Sequence, residues 1–229
     1  MENYSNLNIA IVDYGMGNLF SIKNACNTFG ISTVITSSRE EIANANALIL
    51  PGVGAFGDAM KILEDLNLID TILEFVSSSK PIFGICLGMQ LMMTESLEFG
   101  VHKGLGIIDG NVVPFDNLGG NTILKVPHIG WSRINGIPKK NELDPWQDTM
   151  LNGLNNGEYM YFVHSFYVKP RHTDISISYS QYGNVTFTSS FQYKNIFACQ
   201  FHPEKSGLKG LEIYKNFINR IVKQTIKGD

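Results

Sequence analysis

The sequence predicts an α/β fold: a doubly wound, largely parallel sheet flanked by helices, with a β-rich second half. Two observations point there. Short apolar runs alternate with helical periodicities through the first half of the chain, the pattern of strands joined by right-handed helical crossovers. From Gly106 to Gln200 strand-like runs follow one another, before a closing amphipathic helix. At 229 residues, 44% hydrophobic and 17% charged, the chain has ample material for one core, so a single domain spanning 1–229 is expected.

The elements follow in order. Leu7 to Val12 is an apolar run ending at the turn Asp13-Tyr14-Gly15. Asn18 is placed to cap a helix whose apolar positions Leu19, Ile22, Cys26 and Phe29 keep helical spacing, with Gly30 ending it. Ser32 to Ile35 and Ala47 to Leu50 read as strands, Asp58 to Leu66 and Ile69 to Ser77 as helices. Pro81 to Ile85 is the fourth strand, with a helix from Leu87 to Ser96 directly after it. In the second half, strands are expected at Gly106–Phe115, Thr122–Val126, Tyr159–Val163, Ile175–Tyr182, Thr186–Phe191 and Ile196–Gln200. The last helix is expected from about Leu208 to Val222, and the polar stretch from Asn135 to Gly157, with Trp146, reads as an exposed loop.

Several function classes fall away. A net charge of -3 without a long basic stretch does not suggest a nucleic-acid partner. No run approaches the roughly 20 apolar residues that span a bilayer, and the N-terminus lacks a secretory pattern, so a cytoplasmic location is expected. Three cysteines without CxxC spacing argue against a disulfide framework and a zinc site.

Gly84-Ile85-Cys86-Leu87-Gly88 lies between an apolar strand and a helix, with a glycine two residues either side of the cysteine. That is the nucleophile-elbow pattern with sulfur in place of oxygen. Cys86 would stand exposed at a helix N-terminus, which favours thiolate. The N–H of Leu87 would face an oxyanion on the attacked carbon. Taken alone, the same segment also fits a buried cysteine between packing glycines. Cys26, on an apolar helix face, and Cys199, inside a strand, read as core.

Phe201-His202-Pro203-Glu204 follows the last strand. Residues two apart at a strand end project to one side, so His202 and Glu204 can share a site. Histidine is the usual proton carrier near neutral pH, and a carboxylate on its second nitrogen fixes tautomer and orientation. His102 and His172 lie in polar, loop-like surroundings, and neither His128 nor His164 has a carboxylate two residues away.

Together these residues resemble the class I (triad) glutamine amidotransferases, and within that class the glutaminase subunits of imidazole-glycerol-phosphate synthase. The resemblance covers nearly the whole chain. It rests on Asp13 to Leu19, Leu50 to Phe56, Gly84 to Gln90, Lys125 to Trp131, Tyr161 to Ser165, and Gln200 to Ser206. It implies that Cys86 forms a glutamyl thioester, His202 moves the proton and Glu204 orients His202. It implies a second oxyanion donor near Gly52 or Val53 in the Pro51-Gly52-Val53-Gly54 loop. Gln90 would contact the amino-acid end of the substrate, and His164, Ser165 and Phe166 would line the same pocket, largely through backbone groups. Read from the residues alone, Gln90 is a solvated helix position and the loop an ordinary βα turn. Ammonia would pass to a (β/α)₈-barrel cyclase in a heterodimer, with His128, Gly130, Trp131 and Lys205 near the docking face. No cofactor or metal is implied.

Some relatives of this kind instead supply ammonia to a synthase that aminates a sugar for surface polysaccharide. The long 135–157 stretch and Tyr159-Met160-Tyr161 keep that alternative open. A free-standing cysteine hydrolase would use the same elbow without needing Gln90. A silent binding subunit would be expected to have lost Cys86, His202 or Glu204.

Overall fold

The computed structural model describes residues 7–116, 118–119, 124–137 and 144–228. In chain order the elements are β1 (Asn8–Val12), α1 (Leu19–Asn27), β2 (Ser32–Thr36), α2 (Arg39–Asn44), β3 (Ala47–Leu50), α3 (Phe56–Asp65), α4 (Ile69–Ser77), β4 (Ile82–Ile85), α5 (Leu87–Leu91), β5 (Met93–Ser96), β6 (His102–Lys103) and β7 (Ile108–Pro114). Then come β8 (His128–Arg133), β9 (Asn135–Gly136), β10 (Tyr159–His164), β11 (Phe166–Pro170), β12 (Ser176–Tyr182), β13 (Val185–Tyr193), β14 (Ile196–Cys199) and α6 (Gly207–Gly228).

Eight strands form one sheet in the order β2-β1-β3-β4-β14-β13-β12-β9. The pairs from β2 to β14 are parallel and the remaining three antiparallel. The inner parallel strands β1, β3, β4 and β14 are almost wholly buried, as a sheet covered on both faces requires. Along β1, Ile9 and Ile11 face the core shared with α1 and α6, while Ala10 and Val12 face the core shared with α3 and α4. Two smaller sheets, β11-β7-β5-β6 and the ribbon β10-β8, complete the fold. The expected doubly wound sheet with a β-rich second half is what the structure contains.

Several local expectations are corrected. The helix after β4 stops at Leu91, and Met93–Ser96 is a strand instead. The carbonyls of Leu91, Met92 and Met93 accept from the N–H groups of Leu105, Ile107 and Gly106 at 2.8–3.1 Å, so tertiary partners take acceptors a longer helix would have used. Gly104 allows that approach, since a Cβ there would lie 2.2 Å from the Met93 carbonyl oxygen. The short helix α2 is not among the expected elements, although Ser38, whose side chain accepts from Glu41 N–H, and Glu41 three residues on form a capping-box sequence. Strands β8 and β11 are likewise additions. The expected strand Thr122–Val126 lies partly outside the described residues, and Lys125 and Val126 are not in a strand.

Trp146 is not in an exposed loop. It is fully buried, with its indole N–H donating to the Ile177 carbonyl at 2.9 Å, and Met150, Leu151 and Leu154 are buried with it. Residues 138–143 of that stretch lie outside the described residues. Asn216 of α6 donates to the carbonyls of Met150 and Asn152, tying the segment to the last helix. No helix among the described residues is long and apolar enough to cross a membrane.

Candidate active site

β4 delivers Cys86 to the C-terminal edge of the parallel sheet, beside the ends of β3 and β14. The backbone there is strained: Cys86 has φ 54° and ψ -109°, a region that L-residues with a side chain rarely occupy. Its N–H donates to the Cys199 carbonyl at 2.8 Å, which holds the strained turn against β14. The flanking glycines serve close approach. A Cβ on Gly88 would lie 1.8 Å from the Leu50 carbonyl oxygen, and one on Gly84 would press on Met92 and Ala198. Cys86 is buried, at 5% exposure, rather than standing open as expected. With α5 only five residues long, helix-terminus polarisation is weaker than a full helix would give.

His202 follows β14, and its main chain is clamped to β10. Its N–H donates to the Tyr161 carbonyl at 2.8 Å, and Ser206 Oγ donates to the His202 carbonyl at 2.7 Å while accepting from Tyr161 N–H at 3.0 Å. Pro203–Lys205 forms one tight turn that returns Glu204 beneath the imidazole. His202 Nδ1 lies 2.8 Å from Glu204 Oε1, with both side chains nearly inaccessible. The carboxylate fixes the proton on Nδ1, and Nε2 is buried without another hydrogen-bond partner among the described residues. Burial works against the imidazolium, but the negative charge of an ionised Cys86 and the Glu204 carboxylate outweigh it and raise the His202 pKa to about 10.

A cavity of about 380 Å³ opens over Cys86. Val53, Gly54, Leu87, Gln90, His164, Ser165 and Phe166 line it, as does Lys205. Gly52 does not. Its carbonyl accepts from Leu87 N–H at 3.4 Å, so the Gly52–Val53 peptide presents an acceptor where a second oxyanion donor was expected. The loop is braced from below by Tyr14, whose buried hydroxyl donates to the Pro51 carbonyl at 2.7 Å. Gln90 is buried, not solvated: its Nε2 donates to the Phe166 carbonyl and to Gln200 Oε1, each at 3.0 Å. Both amide hydrogens being used, its Oε1 is the group left for a ligand.

Four residues that the sequence reading leaves without a role belong to the site. Glu98, a buried carboxylate on the cavity wall, accepts from Phe56 N–H at 2.7 Å at the start of α3. Gln200 Nε2 lies 3.6 Å from Cys86 Sγ. Tyr14 and Ser206 brace the loop and the histidine. In sequence, the available signal is a lone charge inside the apolar run Leu97–Val101 for Glu98, and membership of quoted motifs for the other three.

The expected docking residues separate. Trp131 is 55% exposed and Lys205 is exposed, with the Lys205 Nζ 5.7 Å from the Tyr161 ring centre. His128, by contrast, is buried on the opposite face of β8, stacked on Tyr182 at 4.2 Å and Phe162 at 5.1 Å. Strand alternation explains the split, because residues 128 and 131 differ by an odd number and face opposite ways. Cys26 and Cys199 are buried and free, and burial pushes the Cys26 thiol up to about 12. Among the described residues there is no cluster able to hold a metal ion.

The chain matches the family model for class-I glutamine amidotransferases over residues 10–221. It is 44% identical over 216 residues to the imidazole glycerol phosphate synthase subunit HisH of Aquifex aeolicus, covering 94% of this chain and 98% of that one. It is 47% identical over 209 residues to the HisH subunit of Sulfurimonas denitrificans, covering 91% and 96%. Among solved structures, a GMP synthase subunit from Thermoplasma acidophilum matches with a TM-score of 0.67 at 21% identity, over 97% of this chain and 98% of that one. This last likeness concerns the fold alone.

Proposed function

Because the chain belongs to the class-I glutamine amidotransferases, we propose that it is the glutaminase subunit of an imidazole glycerol phosphate synthase, acting as one domain through Cys86, His202 and Glu204. The observation that carries this reading is the strained Cys86 at the cavity floor together with the buried His202–Glu204 pair at 2.8 Å. The identity to HisH subunits over more than nine-tenths of the chain supports the pathway, histidine biosynthesis.

Glutamine would enter with its ammonium end against Glu98 and Gln90 Oε1, two side-chain acceptors on the cavity wall. Ser165 and Phe166 would border its carboxylate. Cys86 Sγ then adds to the side-chain amide carbon, and the oxygen takes the negative charge beside Leu87 N–H, which must first release the Gly52 carbonyl. As the C–N bond breaks, protonated His202 gives its Nε2 proton to the departing nitrogen, releasing ammonia and leaving a thioester. Water next attacks the thioester while His202 takes its proton; glutamate departs and the thiolate–imidazolium pair is restored. The balance is glutamine plus water to glutamate plus ammonia.

With the Gly52 carbonyl turned toward Leu87, one oxyanion donor is engaged and the second is missing. A lost donor costs about 3 kcal/mol in the barrier, so the isolated chain is expected to hydrolyse glutamine roughly a hundredfold more slowly than the assembled enzyme. The partner is read as a (β/α)₈-barrel cyclase in a heterodimer, docking against Trp131, Lys205 and the exposed Ile129. The sugar-aminating alternative draws on the length of the 135–157 stretch and on Tyr159-Met160-Tyr161, and the identity to HisH subunits favours the cyclase reading over it.

The test is glutamine hydrolysis by the chain mixed with the cyclase subunit, with and without the cyclase's nucleotide substrate. Strong stimulation by that substrate is expected, and indifference to it would count against the pathway. Cys86→Ala should abolish hydrolysis while the complex still turns over with added ammonia. Loss of the ammonia-dependent reaction as well would make Cys86 structural.

A further inference from the structure

His128 and His164 face each other across the β8–β10 ribbon. His128 Nδ1 lies 3.1 Å from His164 Nε2, His164 Nδ1 lies 2.8 Å from the Phe166 carbonyl, and His128 Nε2 lies 2.8 Å from Ser132 Oγ. These contacts admit one proton arrangement for two neutral rings. A carbonyl oxygen only accepts, so His164 carries its proton on Nδ1. His164 Nε2 must then accept, which puts the His128 proton on Nδ1 and leaves His128 Nε2 to accept from the Ser132 hydroxyl. Burial keeps both rings neutral, lowering the pKa of His128 to about 4 and that of His164 to about 3.

The chain of bonds continues into the cavity. The Phe166 carbonyl that ends it also accepts from Gln90, Gln90 donates on to Gln200, and Gln200 reaches Cys86 Sγ. His128 itself is absent from the cavity wall. Its ring is held flat between Tyr182 and Phe162, so its nitrogens are aimed by packing. Without its donor, the buried His164 Nε2 would be unsatisfied, at a cost that a ring rotation or an intruding water relieves.

We propose that His128 is a positioning residue for the glutaminase reaction: its Nδ1–H fixes the ring of His164, which fixes the Phe166 carbonyl and thereby the Gln90 amide that meets the substrate. The proposal rests on the glutaminase reading and deepens it. Because Gln90 acts on bound glutamine rather than on the reacting carbon, the effect belongs mainly to KM.

The experiment compares His128→Asn, His128→Gln and His128→Phe in the complex with the cyclase subunit. Asparagine places an amide N–H near the position of Nδ1, glutamine near that of Nε2, and phenylalanine keeps the stack without a donor. His128→Phe and His128→Gln should raise KM for glutamine about tenfold, the worth of one buried hydrogen bond, with kcat changed less than about threefold. His128→Asn should return KM to within about threefold of the parent. An unchanged KM in His128→Phe, or equal defects in Asn and Gln, would overturn the proposal.

Imidazole ¹⁵N spectra of the unaltered chain give a second reading that does not depend on activity, should the phenylalanine variant fail to fold. Both rings are expected as Nδ1–H tautomers at pH 7, and an Nε2–H signal from His128 would sink the proposal. If the parent complex shows no glutaminase activity while the spectra hold, the functional reading fails and the proton arrangement stands.

Discussion

The molecule buries two histidine pairs, and they behave in opposite ways. His202 sits against the Glu204 carboxylate and the Cys86 sulfur, and its pKa is raised to about 10. His128 and His164 sit against each other and against aromatic rings, and theirs are lowered to about 4 and about 3. Burial disfavours charge in all three. What differs is the partner: an anion compensates the desolvation of an imidazolium, while a second imidazole adds repulsion if either ring gains a proton. One pair is thus suited to carry a proton through a reaction, and the other to hold a fixed proton pattern.

Removing the anion is the strongest way to break the contrast. Glu204→Gln should lower kcat for glutamine hydrolysis by about 10²- to 10⁴-fold, the range for a misdirected general acid–base residue. Steady-state kinetics of the complex would read this, and a loss under tenfold would mean that Glu204 does not set the state of His202.

The neutral pair is probed by acid. Depressed folded pKa values mean that the unfolded chain binds more protons, so this stability is present above about pH 6.5 and is lost as pH falls toward 4. The titratable groups around the pair are His128, His164, His202 and Tyr182. Several kcal/mol, about 3 for each ring at face value, should disappear over that window in urea titrations. His128→Phe should show a shallower slope, and an identical slope would assign the acid loss to carboxylates instead. The smallest effect is expected from Ser132→Ala, which strips the donor from His128 Nε2. It should cost about 1 kcal/mol of stability by chemical denaturation, and no change would indicate that water replaces the hydroxyl.

The two pairs also differ in how far the sequence reveals them. Cys86, His202 and Glu204 occupy short contiguous motifs, where local spacing alone places side chains on a common side. The histidine pair is invisible as a pair, because its bond joins residues 36 positions apart and depends on the register of a ribbon whose β8 strand the local pattern does not announce. The same limit hides Glu98, whose bond to Phe56 spans 42 positions, and Gln200, whose contact with Cys86 spans 114. Fold class is legible because buried parallel strands and amphipathic helices write their period into adjacent residues. The C-terminal end of α5 and the burial of Trp146 are not, being set by N–H groups from residues 105–107 and by packing against β12 and α6.

Strand β8 carries Ile129 and Trp131 on one side and His128 and Ser132 on the other. Inserting or deleting a single residue before it would exchange the two sets, sending an imidazole to solvent and an indole into the interior. Point substitutions on the outer side leave the inner side untouched, so the surface met by a partner is free to drift among lineages. Length changes in this strand are not tolerated in the same way. Among homologous chains, β8 should therefore vary in letters but not in spacing.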